Sequence, residues 1–149
     1  MAALGWRISE PERLVAVRGV GLFDFAFISS FREAMRAHGA AVGYRKLFDL
    51  SRADIDLSNE DMQTMVASTR LTAAMTAGPI AIVLGRTPPP LLVDMAVLLK
   101  DRIGSRRRLR LFTDETLARQ WLFSEVVTAH PSYEVLLSPV RALNVGFVR

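Results

Sequence analysis

The sequence contains no cysteine. That absence excludes disulfides, thiol catalysis and thiolate metal sites together, and it leaves the redox compartment undecided. Histidine is nearly as scarce, with only His38 and His130. Neither stands at a spacing from a serine or carboxylate that would assemble a catalytic triad locally. His38 is read as a cation at the end of a helix, where it suits the dipole. Long apolar runs are missing too. The most apolar stretch, Gly78 to Leu99, is interrupted by Arg86, Asp94 and Pro88-Pro89-Pro90. A membrane span needs about 20 uninterrupted apolar residues, so none is expected. The opening residues, MAALGWRISEPER, lack a basic region followed by an apolar stretch. No signal peptide is therefore expected, and the expected location is cytoplasmic.

What is present is enough for one domain. Of the 149 residues, 50% are apolar and 23% charged, which rules out intrinsic disorder. At this length folding buries roughly 70% of the surface of the unfolded chain, so a core forms without staples. The net charge is +4, and of the 19 basic residues only Lys46 and Lys100 are lysines. Arginine reaches phosphates bidentately, but +4 is low beside the surfaces that bind nucleic acid, and such a partner is not expected.

Leu4–Ile8 and Leu14–Val17 flank a proline-containing turn and read as a hairpin. Gly19-Val20-Gly21 reads as a turn, being a dinucleotide fingerprint without its third glycine. A helix is expected over Phe23–His38, with Phe27, Phe31, Ala34 and Met35 on one face, Asp24 helping its start, and a stop at Gly39. Tyr44–Leu50 is a strand. Ser58 opens the next helix by accepting from the N–H of Asp61, with Glu60 and Asp61 in the first turn. Met62, Met65, Val66, Thr69 and Ala73 share one face. Ile80–Leu84 is a strand covered on both faces. Leu91–Ile103 is a helix stiffened at its entry by the prolines. Leu109–Phe112 is a strand, and Thr113 is expected to cap a last helix over Asp114–Phe123 whose Leu117, Trp121 and Leu122 face inward. Alternation of strand and helix from residue 44 implies parallel strands with right-handed crossovers.

That topology sorts the charges. Asp49, Asp54, Asp56, Glu60, Asp61, Asp114 and Glu115 follow strands and form an acidic edge. Arg102, Arg106, Arg107, Arg108 and Arg110 lie in or beside the loop before the last strand and form a basic edge. Ligands of such sheets favour the edge after the strands. Carboxylates there could hold Mg²⁺ or Ca²⁺, but acidic residues favour first helical turns anyway, and neither a metal nor another cofactor is expected. The candidate contacts for a ligand or partner are Asp49, Asp56, Ser58, Arg86, Pro88 and Asp114. The basic edge adds Arg106, Arg107 and Arg108 for an acidic partner.

The order of elements, with LFDLSRADIDLSNED, PIAIVLG and RLRLFTDETLARQWL, resembles the STAS domain, specifically the bacterial SpoIIAA-like group of anti-sigma-factor antagonists. The resemblance covers roughly residues 4–123. It implies an α/β fold with a mixed, mostly parallel sheet of about five strands and about four helices. It also implies binding and regulation rather than catalysis, so the chain is expected not to be an enzyme, and its protein partner is unknown. Phosphorylated members carry a serine where the loop after the middle strand enters the helix, which matches Ser58. Leu57 and Asn59 depart from the surrounding aspartate-serine-serine-glycine run, and Glu60 and Asp61 would oppose a phosphate. Ser58 is therefore expected to be a helix cap before it is a phosphosite. The alternative reading is a carrier or sensor of a small apolar, lipid-like molecule near Phe48, Leu57, Met62 and Arg86.

Residues 124–149 fall outside this pattern. They hold Val126, Val127, Val135, Leu136, Leu137, Val140, Leu143, Val145, Phe147 and Val148 against few charges. Left exposed, they would form a patch larger than soluble monomers tolerate. They are expected to pack on the 1–123 domain or on a second copy, with a homodimer favoured.

Overall fold

Ile80–Val83 is buried at every position, and the rest of the architecture is arranged around it. The computed structural model describes residues 3–73, 78–103 and 108–124. Arg106 and Arg107 of the basic edge, and residues 125–149 of the apolar tail, lie outside them. The strands are β1 (Gly5–Ser9), β2 (Leu14–Arg18), β3 (Gly21–Asp24), β4 (Arg45–Asp49), β5 (Ala53–Asp56), β6 (Ile80–Val83) and β7 (Leu109–Phe112). The helices are α1 (Phe25–His38), α2 (Asn59–Ala73), α3 (Pro90–Ile103) and α4 (Glu115–Ser124), with a short 3₁₀ turn at Ala40–Gly43.

The main sheet has the order β1-β2-β4-β6-β7. β1 and β2 form the expected antiparallel hairpin, while β2, β4, β6 and β7 run parallel. The described residues therefore contain the expected mixed, mostly parallel five-stranded sheet and four helices. β6 is covered on both faces because its side chains alternate between two cores. Ile80 and Ile82 join the large cluster that includes Phe31, Met65, Leu92 and Met95. Ala81 and Val83 join Leu14, Leu47, Ala118 and Leu122 beneath α4.

Two strands went unread in the sequence. β3 and β5 pair in parallel as a separate two-stranded sheet, with Asp24 opposite Asp56. Each continues a strand of the main sheet after a short break: β3 follows β2, and β5 follows β4. The first break passes Gly19, whose φ is +124°. A Cβ there would stand 2.3 Å from the carbonyl oxygen of Ala3, so only glycine fits. Asp54 and Asp56 consequently lie within a strand, not after one. Phe23 belongs to β3 and not to α1. Asp24 is extended, as an N-cap residue must be, and its Oδ1 accepts from the Phe27 N–H at 2.8 Å.

α4 also differs from expectation. Its cap is Asp114, whose Oδ1 accepts from the Leu117 N–H at 3.0 Å, one residue after Thr113. The inward residues are Ala118 and Leu122, both fully buried, while Leu117 is 49% exposed. Trp121 is half-buried against Phe112, with ring centroids 5.8 Å apart. Ala118 and Leu122, four residues apart, share the face against the sheet, and Leu117 stands about 100° round the helix from Ala118.

Lys46 is a charge that the pattern did not mark. It is buried within β4, and its Nζ donates to the carbonyls of Ala41, Val42 and Tyr44 at 2.8, 2.9 and 2.8 Å. An ammonium carries three donors and tolerates burial only with partners for them. Lys46 thus ties the turn after α1 to the sheet. Gly78 docks on the same turn, its N–H donating to the Val42 carbonyl at 3.1 Å. A Cβ at Gly78 would lie 2.2 Å from the Tyr44 carbonyl oxygen.

Candidate functional site

The loops that follow the parallel strands emerge at one edge, and the small sheet concentrates two of them. Because β3 and β5 are parallel and in register at Asp24 and Asp56, the starts of α1 and α2 are neighbours. Asp24 caps α1 directly from the end of its strand. The entry to α2 passes through Asp56, Leu57 and Ser58. Leu57 is buried in the large core, while Asp56 and Ser58 are exposed. Ser58 Oγ accepts from the Asp61 N–H at 3.0 Å, and Asp61 Oδ2 accepts from the Ser58 N–H at 3.1 Å. This reciprocal box satisfies orphan donors at both positions. The expected capping role of Ser58 is therefore present, with a carboxylate held at its side.

Near these helix starts two apolar side chains are exposed, Leu22 across from Asp54 in the small sheet and Phe25 in the first turn of α1. Leu22 is 51% exposed and Phe25 38% exposed, with Val20 nearby in the chain. These residues were not among the sequence candidates. The only signal was the apolar run after Gly19, which reads equally as a turn into a helix.

The remaining candidates sit along the main sheet. Asp49 ends β4, and its Oδ1 accepts from the N–H and the hydroxyl of Ser51 at 3.2 and 2.6 Å. That turn lies against the loop after β6, where a Cβ on Gly85 would stand 3.1 Å from the Ser51 Cβ. Arg86 follows, exposed, then half-buried Pro88, and Pro90 opens α3. The Pro89 carbonyl accepts the first bonds of that helix, from the N–H groups of Leu92 and Val93, so proline stands at the position where its missing donor costs nothing. Asp114 serves as the cap of α4. Asp24, Asp61 and Asp114 thus accept from backbone donors at helix starts. Among the described residues no three histidine or acidic side chains converge as a metal-ligand group. Asp49, Arg86 and Asp114 share the carboxyl edge of the main sheet, and Asp56 and Ser58 that of the small one. Of the basic edge, Arg108 and Arg110 are exposed.

Phe48, Leu57 and Met62, read as walls of an apolar ligand site, are packed into the core. Leu57 and Met62 are buried, and Phe48 meets Phe31 edge-on with centroids 5.3 Å apart. An open groove of about 160 Å³ lies between α1 and α2, and Phe25, Ile28, Arg32, Arg36, Met65 and Ser68 are among its lining residues. The Arg32 guanidinium donates to the Met65 carbonyl at 3.1 Å. Its pKa is lowered by burial first and by the nearby Arg36 second.

At the opposite edge, Glu10 gathers two titratable side chains. The Tyr44 hydroxyl donates to its Oε1 at 2.6 Å, and His38 Nε2 lies 2.5 Å from its Oε2. His38 Nδ1 accepts from the Ala41 N–H at 3.3 Å, so Nε2 carries the proton that faces Glu10. The Tyr44 bond, then the His38 bond, hold the Glu10 carboxyl below its ordinary range, and the same contact raises the Tyr44 phenol. His38 ends α1, with Glu10 as its partner. The cluster clamps the β1–β2 turn to the end of α1.

A comparison of the sequence with family models and with curated proteins gives no match. Among solved structures, the fold is similar to that of an uncharacterized protein of the DUF3478 family from Shewanella loihica PV-4, described as having a SpoIIAA-like fold. The two are 18% identical and superpose with a TM-score of 0.55, covering 80% of this chain and 92% of the other. The mixed five-stranded sheet, the parallel pair β3–β5 and the four helices of the described residues, with this likeness, show that the chain adopts a SpoIIAA-like fold.

Proposed function

We propose that the chain is a non-enzymatic binding module of the STAS-like class, acting through contacts with a protein partner. The observation that carries this reading is the exposure of two apolar side chains, Leu22 in β3, the strand that pairs with the one leading to Ser58, and Phe25 at the start of α1. An apolar surface rimmed by polar groups marks a contact site. Leu22 and Phe25 supply the apolar centre, while Asp56 and Ser58 form the rim. Asp49, Arg86, Pro88 and Asp114 extend the same edge along the main sheet. No described helix is long and apolar enough to cross a membrane. The reading includes a homodimer supported by the apolar stretch after Ser124. A bacterial, cytoplasmic setting goes with the class.

The test is gentle isolation from the native cell followed by mass spectrometry of everything retained. A protein partner present in stoichiometric amount is the expected result. A tightly held lipid or other small apolar molecule, with no protein, would overturn the reading in favour of a carrier.

A further inference from the structure

β7 is the last strand of the main sheet, and among the described residues no strand lies beyond it. The carbonyls of Arg108 and Phe112 accept from β6, at the N–H groups of Ile80 and Leu84. In a parallel ladder the intervening residues turn their backbone groups the other way. The N–H and C=O of Leu109 and Leu111 therefore point away from β6, toward the side on which no described strand lies. Leu109 and Leu111 place their side chains in the large core. Arg110 stands between them on the opposite face, in register with Ala81 beneath α4. Phe112 follows on that same face and packs on Trp121. One turn earlier in α4, Leu117 is half exposed. The outer flank of α4 and the edge of β7 thus present an arginine followed by an apolar shelf. Arg108 is exposed immediately before the strand.

We infer that this edge accepts an extended acidic segment of a partner protein as an added parallel or antiparallel strand. The backbone groups of Leu109 and Leu111 pair with its main chain. A carboxylate meets Arg110, and an apolar side chain two residues away meets Phe112, Trp121 and Leu117. The period of two follows from the strand. A nucleic acid would satisfy Arg110 but carries no backbone N–H to pair with the outward carbonyls, so the edge favours peptide. This surface is separate from the one around Ser58 and stands or falls without it.

The full chain is titrated against a short fluorescent peptide alternating glutamate and valine. Binding is expected, with backbone amide shifts at Leu109 and Leu111. A proline at the centre of the peptide, lysine in place of glutamate, and Arg110→Glu in the protein should each weaken it roughly tenfold or more. Arg7→Glu, at an exposed position of β1 at the far end of the sheet, should leave it unchanged. Arg110→Gln and the peptide variants decide the matter if Arg110→Glu fails to fold. Equal binding of the proline or lysine peptide, insensitivity to both Arg110 variants, or shifts confined to the α1–α2 groove would overturn the inference. So would a requirement for Arg110 in binding anionic vesicles or an oligonucleotide but not the acidic peptide.

Discussion

Ser58 and Asp61 cap one another, each accepting the other's backbone N–H through its side chain, at 3.0 and 3.1 Å. The pair fixes where α2 begins and holds a carboxylate beside the serine hydroxyl. Ser58→Ala should cost about 1 kcal/mol in chemical denaturation and should leave partner binding intact. Phosphopeptide mapping from native cells should find Ser58 unmodified. Stoichiometric phosphate there would show that the serine is a switch in spite of its neighbours.

Lys46 offers a sharper stability test. Lys46→Met keeps the aliphatic stem but strands the carbonyls of Ala41, Val42 and Tyr44 without their shared donor. The carbonyls of Ala41 and Val42 keep the N–H groups of Tyr44 and Gly78 as donors, so a loss of about 1–3 kcal/mol is expected. A melting curve within experimental error of the wild type would mean that the ammonium stabilises nothing.

The Glu10–Tyr44 bond predicts a pH window. Glu10 is held below its ordinary value, so its contribution is complete above the unfolded carboxylate pKa of about 4.3 and drains as pH falls through the lower folded value. Tyr44 is raised, so its contribution is complete below the unfolded phenol pKa of about 10 and is lost as pH rises through the higher folded value. The stability difference between wild type and Tyr44→Phe should be widest between about pH 5 and pH 9 and narrow on either side. A difference independent of pH would contradict the ionised contact.

Much of this was legible in the sequence because periodicity and burial agree there. Ile80–Val83 is apolar at every position and is buried on both faces. Phe31 and Met35 repeat at helical spacing and point into the core. β5 was not legible, because ADID alternates correctly but is four residues long and carries two exposed carboxylates. Only its pairing with β3 makes it a strand. The cap of α4 was misplaced because Thr113 and Asp114 are both good capping residues in adjacent positions. Exposed Leu22 was missed for a related reason: an apolar residue near a predicted helix reads as core until the sheet beneath it is known. Lys46 gave no signal, since its partners are carbonyls, which every sequence has.

The dimer is tested by light scattering. The full chain should run at twice the monomer mass, and a chain ending at Ser124 as a monomer. A monomeric full-length protein would exclude the proposed homodimer.

The central claim is that the surface beside Ser58 is where a protein partner binds. Leu22→Lys puts a charge on that surface at a half-exposed position opposite Asp54, where folding should tolerate it. The measurement is native mass spectrometry of tagged wild type and Leu22→Lys isolated from the source cell. The account predicts that the wild type carries a stoichiometric protein partner and that Leu22→Lys, melting at an unchanged temperature, has lost it. A wild type isolated without a protein, or a Leu22→Lys chain that retains its partner in full, would contradict it.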